Sequence, residues 1–341
     1  MNTVIWRKAL TVIPSVSKEE WSHLDVFSKW LISTRAAVLT MTLTSAILAG
    51  LFAWRDQAFH LWPWLTLTFG LLMAHASNNL LNDHIDFARG VDQQDYARAL
   101  YGPHPLKNQL LTRRQHLMYF LATGALALGS GLILLWLQPG DWLIWPLLGL
   151  GAFILLFYTW PLKYIALGEV AVLLVWGPLM VGGGYYVLAH HWNWDVTLAS
   201  LVYALGVTTV IFGKHIDKRS ADQRKHIYTL PTLLGESAAR GLLICMLVLS
   251  YWLLIYLIGT HYFTPIVLLT FLALPRFFQV LPAFLKPRPK TRPPTFRQGQ
   301  GGWPLYFAPL AFWYNRTFGG LFIFSLFLDT LLRLYLPTFW R

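Results

Sequence analysis

Apolar runs near the ~20-residue length of a bilayer-crossing helix recur along the chain, and short polar stretches between them carry most of the charge. The pattern predicts nine spans, at about 36–54, 61–82, 116–137, 142–160, 165–189, 196–213, 239–259, 263–285 and 317–337. Pro178, Pro265 and Pro275 fall inside spans, where neighbouring helices tolerate a kink. Gly182, Gly183 and Gly184 either bring two helices close together or break the fifth span. The class read from this pattern is an all-α membrane protein. It is one bundle of about nine transmembrane helices, residues 36–341, around a central cavity open to the cytoplasmic side. A cytoplasmic N-terminal tail, residues 1–35, precedes it.

Composition agrees with the pattern. Of 341 residues 56% are hydrophobic and only 12% charged, and the mean hydropathy is +0.48, whereas a soluble domain carries about 25% charged residues. The single cysteine, Cys245, lies in an apolar run and excludes a disulfide framework. The first 30 residues are polar and mixed in charge, without the apolar core and small-residue cleavage site of a secretory signal.

The net charge of +12 would suit nucleic acid in a soluble protein, but its distribution points to topology instead. Alternate inter-span segments, with the N-terminal tail, hold 23 of the 27 Lys and Arg. Arg55, Arg333 and Arg341 lie on the other side, and Arg276 lies within span 8. The bias predicts a cytoplasmic N-terminus, an external C-terminus, a bilayer partner and no nucleic acid. The setting expected is a bacterial or archaeal plasma membrane. The connector 286–316, rich in Pro, Gly and Arg, reads as a flexible segment drawn to anionic headgroups.

Acidic residues mark the cytoplasmic ends of two spans. If span 2 stays helical to residue 86, Asn78, Asn82 and Asp86 fall at i, i+4, i+8, with Asp83 three before Asp86. All four share one arc, Gly90 lets the chain turn, and Asp92 can fold back toward them. Oxygen ligands of this kind suit Mg²⁺, which takes one or two carboxylates with water and phosphate oxygens. Two acids alone would read as a solvated helix end paired with Arg89. Three acids and two asparagines straight after a span favour a site.

The second cluster follows span 6. Asp217 and Asp222 stand among Lys214, Lys218, Arg219, Arg224 and Lys225, and Lys218–Asp222 is also an ordinary i,i+4 pair. If spans 2 and 6 face each other across a cavity, Asp83, Asp86, Asp92, Asp217 and Asp222 would hold two or more Mg²⁺. Those ions would clamp a diphosphate, with basic side chains such as Arg98, Lys214 and Lys218 neutralising the rest. In the short link 158–164, Lys163 is either a diphosphate contact or an ordinary topology-setting lysine, and Tyr158 is expected to meet substrate. Glu169, at the start of span 5, is a polar group that could face an acceptor, although an acid is favourable at any helix N-terminus.

These residues resemble the UbiA superfamily of intramembrane prenyltransferases. Asn82-Asp83-His84-Ile85-Asp86-Phe87-Ala88-Arg89-Gly90-Val91-Asp92 is similar to the family's first motif. Its Gly-x-Asp ending and the following "YGPHPLKNQLLTRRQ" look most like the branch that prenylates 1,4-dihydroxy-2-naphthoate in menaquinone synthesis. Asp217 to Asp222, running into "TLPTLLGE", resembles the second motif. "KHID" at 214–217, Asn108-Gln109 and the tail "GGWPLYFAPLAFWYNRTFGGLFIFSLFLD" depart from the branch, which bears on the acceptor rather than on the diphosphate chemistry.

The resemblance implies Mg²⁺-dependent transfer of a prenyl group from an isoprenoid diphosphate to an aromatic or other isoprenoid acceptor. Asp83, Asp86, Asp217 and Lys163 would be catalytic, and Asn78, Asn82, Arg98, Lys214, Lys218 and Tyr158 would bind substrate. Two other outcomes stay open: cyclisation of the prenyl chain without an acceptor, and a transporter using the acids for a permeating cation. Acids at helix ends rather than at mid-membrane, and no inverted repeat, weigh against transport.

Overall fold

The computed structural model describes residues 3–92, 98, 100, 102–138, 140–294 and 303–336. Every regular element among them is a helix. In chain order these are α1 (Thr3–Thr11), α2 (Lys18–Ser22), α3 (Val26–Ser33), α4 (Thr40–Arg55), α5 (Leu61–Ala88), α6 (Arg113–Leu137) and α7 (Ile144–Phe157). They continue with α8 (Gly168–Leu174), α9 (Gly184–Ala189), α10 (Trp194–Arg224), α11 (Leu230–Leu234), α12 (Glu236–Gly259), α13 (Leu274–Leu285) and α14 (Phe307–Tyr335). A 3₁₀ turn leads into α4, a π segment (Val175–Gly183) joins α8 to α9, and a 3₁₀ stretch (Pro265–Ala273) precedes α13.

Each of the nine expected apolar segments coincides with helix. Among the described residues seven helical stretches are both long and apolar enough to cross a bilayer: Ala36–Arg55, Arg113–Leu137, Gly168–Ala189, Trp194–Arg224, Glu236–Gly259, Pro265–Leu285 and Phe307–Tyr335. The protein is integral to the membrane. α5 is long, but His75, Asn78, Asn79 and Asn82 dilute it, and α7 is apolar with only 14 residues.

Three boundaries differ from expectation, each for a local reason. α5 and α10 run on past residues 82 and 213, so Asp83, Asp86, Asp217 and Asp222 lie on helices rather than in loops. α14 begins at Phe307, ten residues earlier than the hydrophobic pattern suggests. The polar pair Asn315-Arg316 interrupts the pattern, yet Asn315 is buried inside the helix. Within Gly168–Ala189 the chain stays helical through Pro178 by widening to the π segment. The disrupted turn leaves the Trp176 carbonyl to accept Ser45 Oγ at 2.9 Å.

The core centres on α10, which packs against α8, the π segment, α11, α12 and α14. Tyr203, Phe212, Tyr314, Phe318 and Phe322 are fully buried there. Gly206 permits this closeness, since a Cβ at that position would lie 2.4 Å from Asn315 Oδ1. Residues 3–33, expected as a polar tail, form three short helices with side-chain caps at Ser17 and Asp25. They bury Ala9, Trp21, Leu31 and Ile32 against Ala76 of α5 and Leu111. The connector 286–316 falls partly at 295–302, outside the described residues.

Candidate active site

The C-terminal turns of α5 carry the first motif. Asn78 Nδ2 donates to the Leu155 carbonyl at 2.9 Å and Asn82 Nδ2 to Thr159 Oγ1 at 3.2 Å, tying α5 to the end of α7. Asn79 Nδ2 donates to the Thr34 carbonyl at 2.8 Å. Asp83 is fully buried and is held by three nitrogens. Arg98 Nε and Nη2 donate to its two oxygens at 3.0 and 2.6 Å, and Arg35 Nη2 lies 3.2 Å from Oδ1. One turn on, Asp86 accepts Lys163 Nζ at 2.7 and 2.8 Å. Gly90, at φ +69, turns the chain, and Asp92 comes back to place Oδ2 2.8 Å from His104 Nε2.

The second motif meets the first through this link. Lys163 is buried and also feels the charge of Asp222. Burial pulls the Lys163 ammonium down, but Asp86, with Tyr164 and Asp222 adding to it, holds it above the ordinary lysine value. Asp222 lies 3.4 Å from Lys218 Nζ. Lys225 Nζ donates to the Gly90 carbonyl at 2.9 Å, and Val91 packs on Ile227. The ends of α5 and α10 and the link after α7 therefore converge.

Asp217 is placed differently. Its Oδ1 and Oδ2 each accept a backbone amide at 3.0 Å, from Phe307 and Ala308, and Arg288 Nε is 3.6 Å from Oδ1. It holds the N-terminus of α14. Gly213, one turn earlier on α10, leaves room, since a Cβ there would lie 3.0 Å from the Ala308 nitrogen.

Beside the convergence lies a cavity of about 660 Å³ between α4, α5, α6, α7, α10, α14 and the π segment. Arg35, Asn79, Asn82, Tyr158 and Lys214 line it on the side of the acids, and most of the remaining lining is apolar. Tetrahedral or octahedral oxygen chemistry needs converging donors. Asp83, Asp92 and His104 each present a ligand atom within 4.8 Å of the others, and Asp92 Oδ1 is buried without a hydrogen-bond partner among the described residues. Two carboxylates and an imidazole that approach this closely fit a Mg²⁺ ion that completes its shell with water or phosphate oxygens.

The expected residues thus fall into groups. Asp83, Asp86, Asp92, Asp222, Lys163, Lys218 and Arg98 come together around the converging ends. Asn78, Asn82, Tyr158 and Lys214 line the cavity. Asp217 faces α14. Sequence reasoning passed over Arg35, His104 and His215. Arg35 stands directly before an apolar run and reads there as a topology-setting charge. His104 lies in a Pro-flanked loop 12 residues from its partner Asp92. His215 pairs with Glu169 across 46 residues, Nδ1 to Oε1 at 2.5 Å, and the same oxygen accepts the Leu230 amide at 3.2 Å. An i,i+4 search on one helix finds neither pair.

A helical bundle enclosing an apolar cavity, with aspartates on two helix ends, has the architecture of an intramembrane enzyme. The chain matches the UbiA prenyltransferase family over residues 43–315, and it belongs to that family of transferases. Its fold is similar to a structure of digeranylgeranylglyceryl phosphate synthase, with TM-score 0.56 and 15% identity, covering 89% of this chain and 98% of that one. It is also similar to a UbiA homologue from Archaeoglobus fulgidus bound to GPP and Mg²⁺, with TM-score 0.51, 14% identity, and 89% and 99% of the two chains covered. Among relatives by sequence, a UbiA prenyltransferase domain-containing protein 1 homologue of Drosophila melanogaster is 26% identical over 74% of this chain and 70% of its own. The 1,4-dihydroxy-2-naphthoate octaprenyltransferase of Escherichia coli is 29% identical over 64% of this chain and 72% of its own. The 2-carboxy-1,4-naphthoquinone phytyltransferase of Synechocystis is 28% identical over 59% and 64%.

Proposed function

We propose that the protein transfers a prenyl group from an isoprenoid diphosphate to an aromatic acceptor, with 1,4-dihydroxy-2-naphthoate as the acceptor, in a Mg²⁺-dependent reaction. The observation that carries this reading is the meeting of four buried carboxylates, Asp83, Asp86, Asp92 and Asp222, with five cationic side chains beside an apolar cavity. Arg35, Arg98, Lys163 and Lys218 hold three of those acids, and Lys214 lines the cavity. Relatives of naphthoate-prenylating name, and a homologue holding GPP with Mg²⁺, support the substrate classes.

Asp83 and Asp92 would hold the ion, with His104 orienting Asp92 and Asp86 and Asp222 completing the acid set. Bound there, Mg²⁺ supplies charge to stabilise the departing diphosphate. Lys163, Arg35 and Arg98 share that work, because each can give a hydrogen bond to a phosphate oxygen as easily as to a carboxylate. The allylic C–O bond breaks and its electron pair leaves with the diphosphate. An electron-rich ring carbon forms the new C–C bond, and in a naphthoate the ring carboxyl departs as CO₂, returning its bonding pair to the ring. The apolar cavity takes the isoprenoid tail and keeps water from the allylic cation. Aromatic faces stabilise such a cation. Asp217 is assigned to anchoring α14. The positive-inside bias supports a reading with the acid cluster and the N-terminus on the cytoplasmic side.

The test is a transfer assay on purified protein, pairing prenyl diphosphates of several lengths with dihydroxynaphthoate, hydroxybenzoate and no acceptor. Prenylated naphthoate should form only with Mg²⁺ present, and Asp86→Ala should abolish it while the protein still melts cooperatively. A hydrocarbon or alcohol made without an acceptor would point to cyclisation instead, and full activity of Asp86→Ala would overturn the site.

A further inference from the structure

We propose that His75 is the acceptor-binding residue of the cavity: its free ring nitrogen hydrogen-bonds a hydroxyl of the aromatic acceptor and sets which edge of the ring faces the diphosphate. This rests on the reading that the cavity receives an aromatic acceptor.

His75 lines the cavity and is itself buried, at 7% exposure. Its Nδ1 lies 2.8 Å from Thr42 Oγ1 on α4, which fixes the ring plane. The Trp176 ring packs against it edge-on, with centroids 5.1 Å apart at 85°. Nε2 has no hydrogen-bond partner among the described residues. Met41, Leu71, Ala74, Leu179 and Met180 line the same cavity, and Arg35, also in its lining, is close enough for its charge to act on the ring. A polar ring nitrogen in such surroundings is costly unless something bonds to it. Nε1 of Trp176, whose ring packs on His75, is a buried polar atom without a partner among the described residues.

An isoprenoid tail has nothing to offer either atom. A phenolic hydroxyl has, because it both donates and accepts, and so matches either tautomer that the Thr42 contact selects. The spacing agrees. His75, Asn79 and Asp83 share one face of α5 at i, i+4, i+8. At 1.5 Å per residue, His75 stands about 12 Å along the axis from Asp83. That length accommodates a bound diphosphate, its allylic carbon and one aromatic ring in sequence.

The experiment measures KM for dihydroxynaphthoate and for prenyl diphosphate in the wild-type protein, His75→Leu and His75→Gln, and repeats it with an acceptor methylated at one hydroxyl. His75→Leu should raise the acceptor KM at least tenfold and leave the prenyl diphosphate KM within twofold. His75→Gln, which keeps a hydrogen-bonding group, should recover part of the loss. Methylating the hydroxyl that His75 engages should cost the wild-type protein a similar factor and cost His75→Leu nothing more. An unchanged acceptor KM in His75→Leu, equal rises in both KM values, or an undiminished methyl-ether penalty in that variant would overturn the assignment. Should His75→Leu fail to fold, Thr42→Val, which leaves the imidazole present but unfixed, takes its place in the same cycle. Failure of the wild-type protein to prenylate any aromatic acceptor would sink the underlying reading, whereas a normal wild-type enzyme with an indifferent residue 75 would sink only this inference.

Discussion

At the end of α4 remote from Asp83, Arg55 donates through Nη2 to Tyr262 Oη at 2.5 Å and lies over the Tyr262 ring. Tyr185 Oη donates to Asp56 at 2.7 Å, and Asp329 accepts the Thr264 amide at 2.7 Å while facing Arg333. At the other end, Asp83, Asp86 and Asp222 are held by Arg35, Arg98, Lys163 and Lys218. Both ends contain buried acids, so burial of charge alone does not mark a site. The difference lies in the partners and in what adjoins them. The remote acids are bound by Arg55 and Arg333 as well as by a hydroxyl and a main-chain amide, and none of these side chains lines the large cavity. At the other end Arg35, which holds Asp83, lines the cavity itself, as do Asn79 and Asn82 on α5, so a phosphate in the cavity would meet a cation that already grips a carboxylate. Asp217, fixed by two α14 amides, belongs by its contacts with the first kind although it lies at the end of α10.

The largest effect should come from breaking that distinction at Lys163. Lys163→Met removes both hydrogen bonds to Asp86 and leaves a buried carboxylate unpaired, a change that costs about 3–5 kcal/mol where such pairs are broken. If Lys163 also serves the diphosphate, kcat per folded molecule should fall about 100-fold or more as well. A melting experiment and a transfer assay on the same sample separate the two. Lost stability with normal turnover would make this end structural, like the remote one.

The bundle was legible because a bilayer imposes length and apolarity on each span, and those are properties of local sequence. The motif acids were legible for a similar reason: Asn78, Asn82, Asp83 and Asp86 lie on one helix, where spacing alone puts them on one face. Their partners were not. Arg35 reaches Asp83 across 48 positions of sequence and Lys163 reaches Asp86 across 77. Such pairs are decided by how helices pack, and a basic residue near a span carries the same sequence signal whether it sets topology or grips an acid. The start of α14 was hidden by the same nonlocality, because the carboxylate that caps Phe307 and Ala308 comes from α10.

Asp217→Ala sharpens the comparison from the other direction. It strands two amides at the start of α14, which should cost about 1–3 kcal/mol. Turnover per folded molecule should hold. A lost transfer activity with an unchanged melting temperature would instead move Asp217 into the metal-binding set. A smaller effect is expected from Tyr185→Phe, which deletes the hydroxyl on Asp56. Asp56 is partly exposed, so water can replace the lost donor and the cost should be about 1 kcal/mol, read as a small drop in melting temperature with transfer unaltered. A transfer defect in Tyr185→Phe would show that the two ends are coupled.

The smallest effect concerns pH. In the folded protein burial lowers the Lys163 ammonium, but Asp86, Tyr164 and Asp222 together hold it above its ordinary value. A group whose folded pKa is raised contributes stability that is fully present below its unfolded value and is lost only as pH rises through the folded one. The unfolded value is about 10.4. The Lys163–Asp86 pair should therefore stay intact between pH 7 and 9, and Lys163→Met should destabilise the protein equally at both. Melting temperatures of the two proteins at pH 7 and pH 9 provide the check. A difference between them that shrinks by pH 9 would mean that Lys163 loses its proton in the neutral range, that burial wins over Asp86, and that the cation proposed to grip the diphosphate is not charged when the enzyme works.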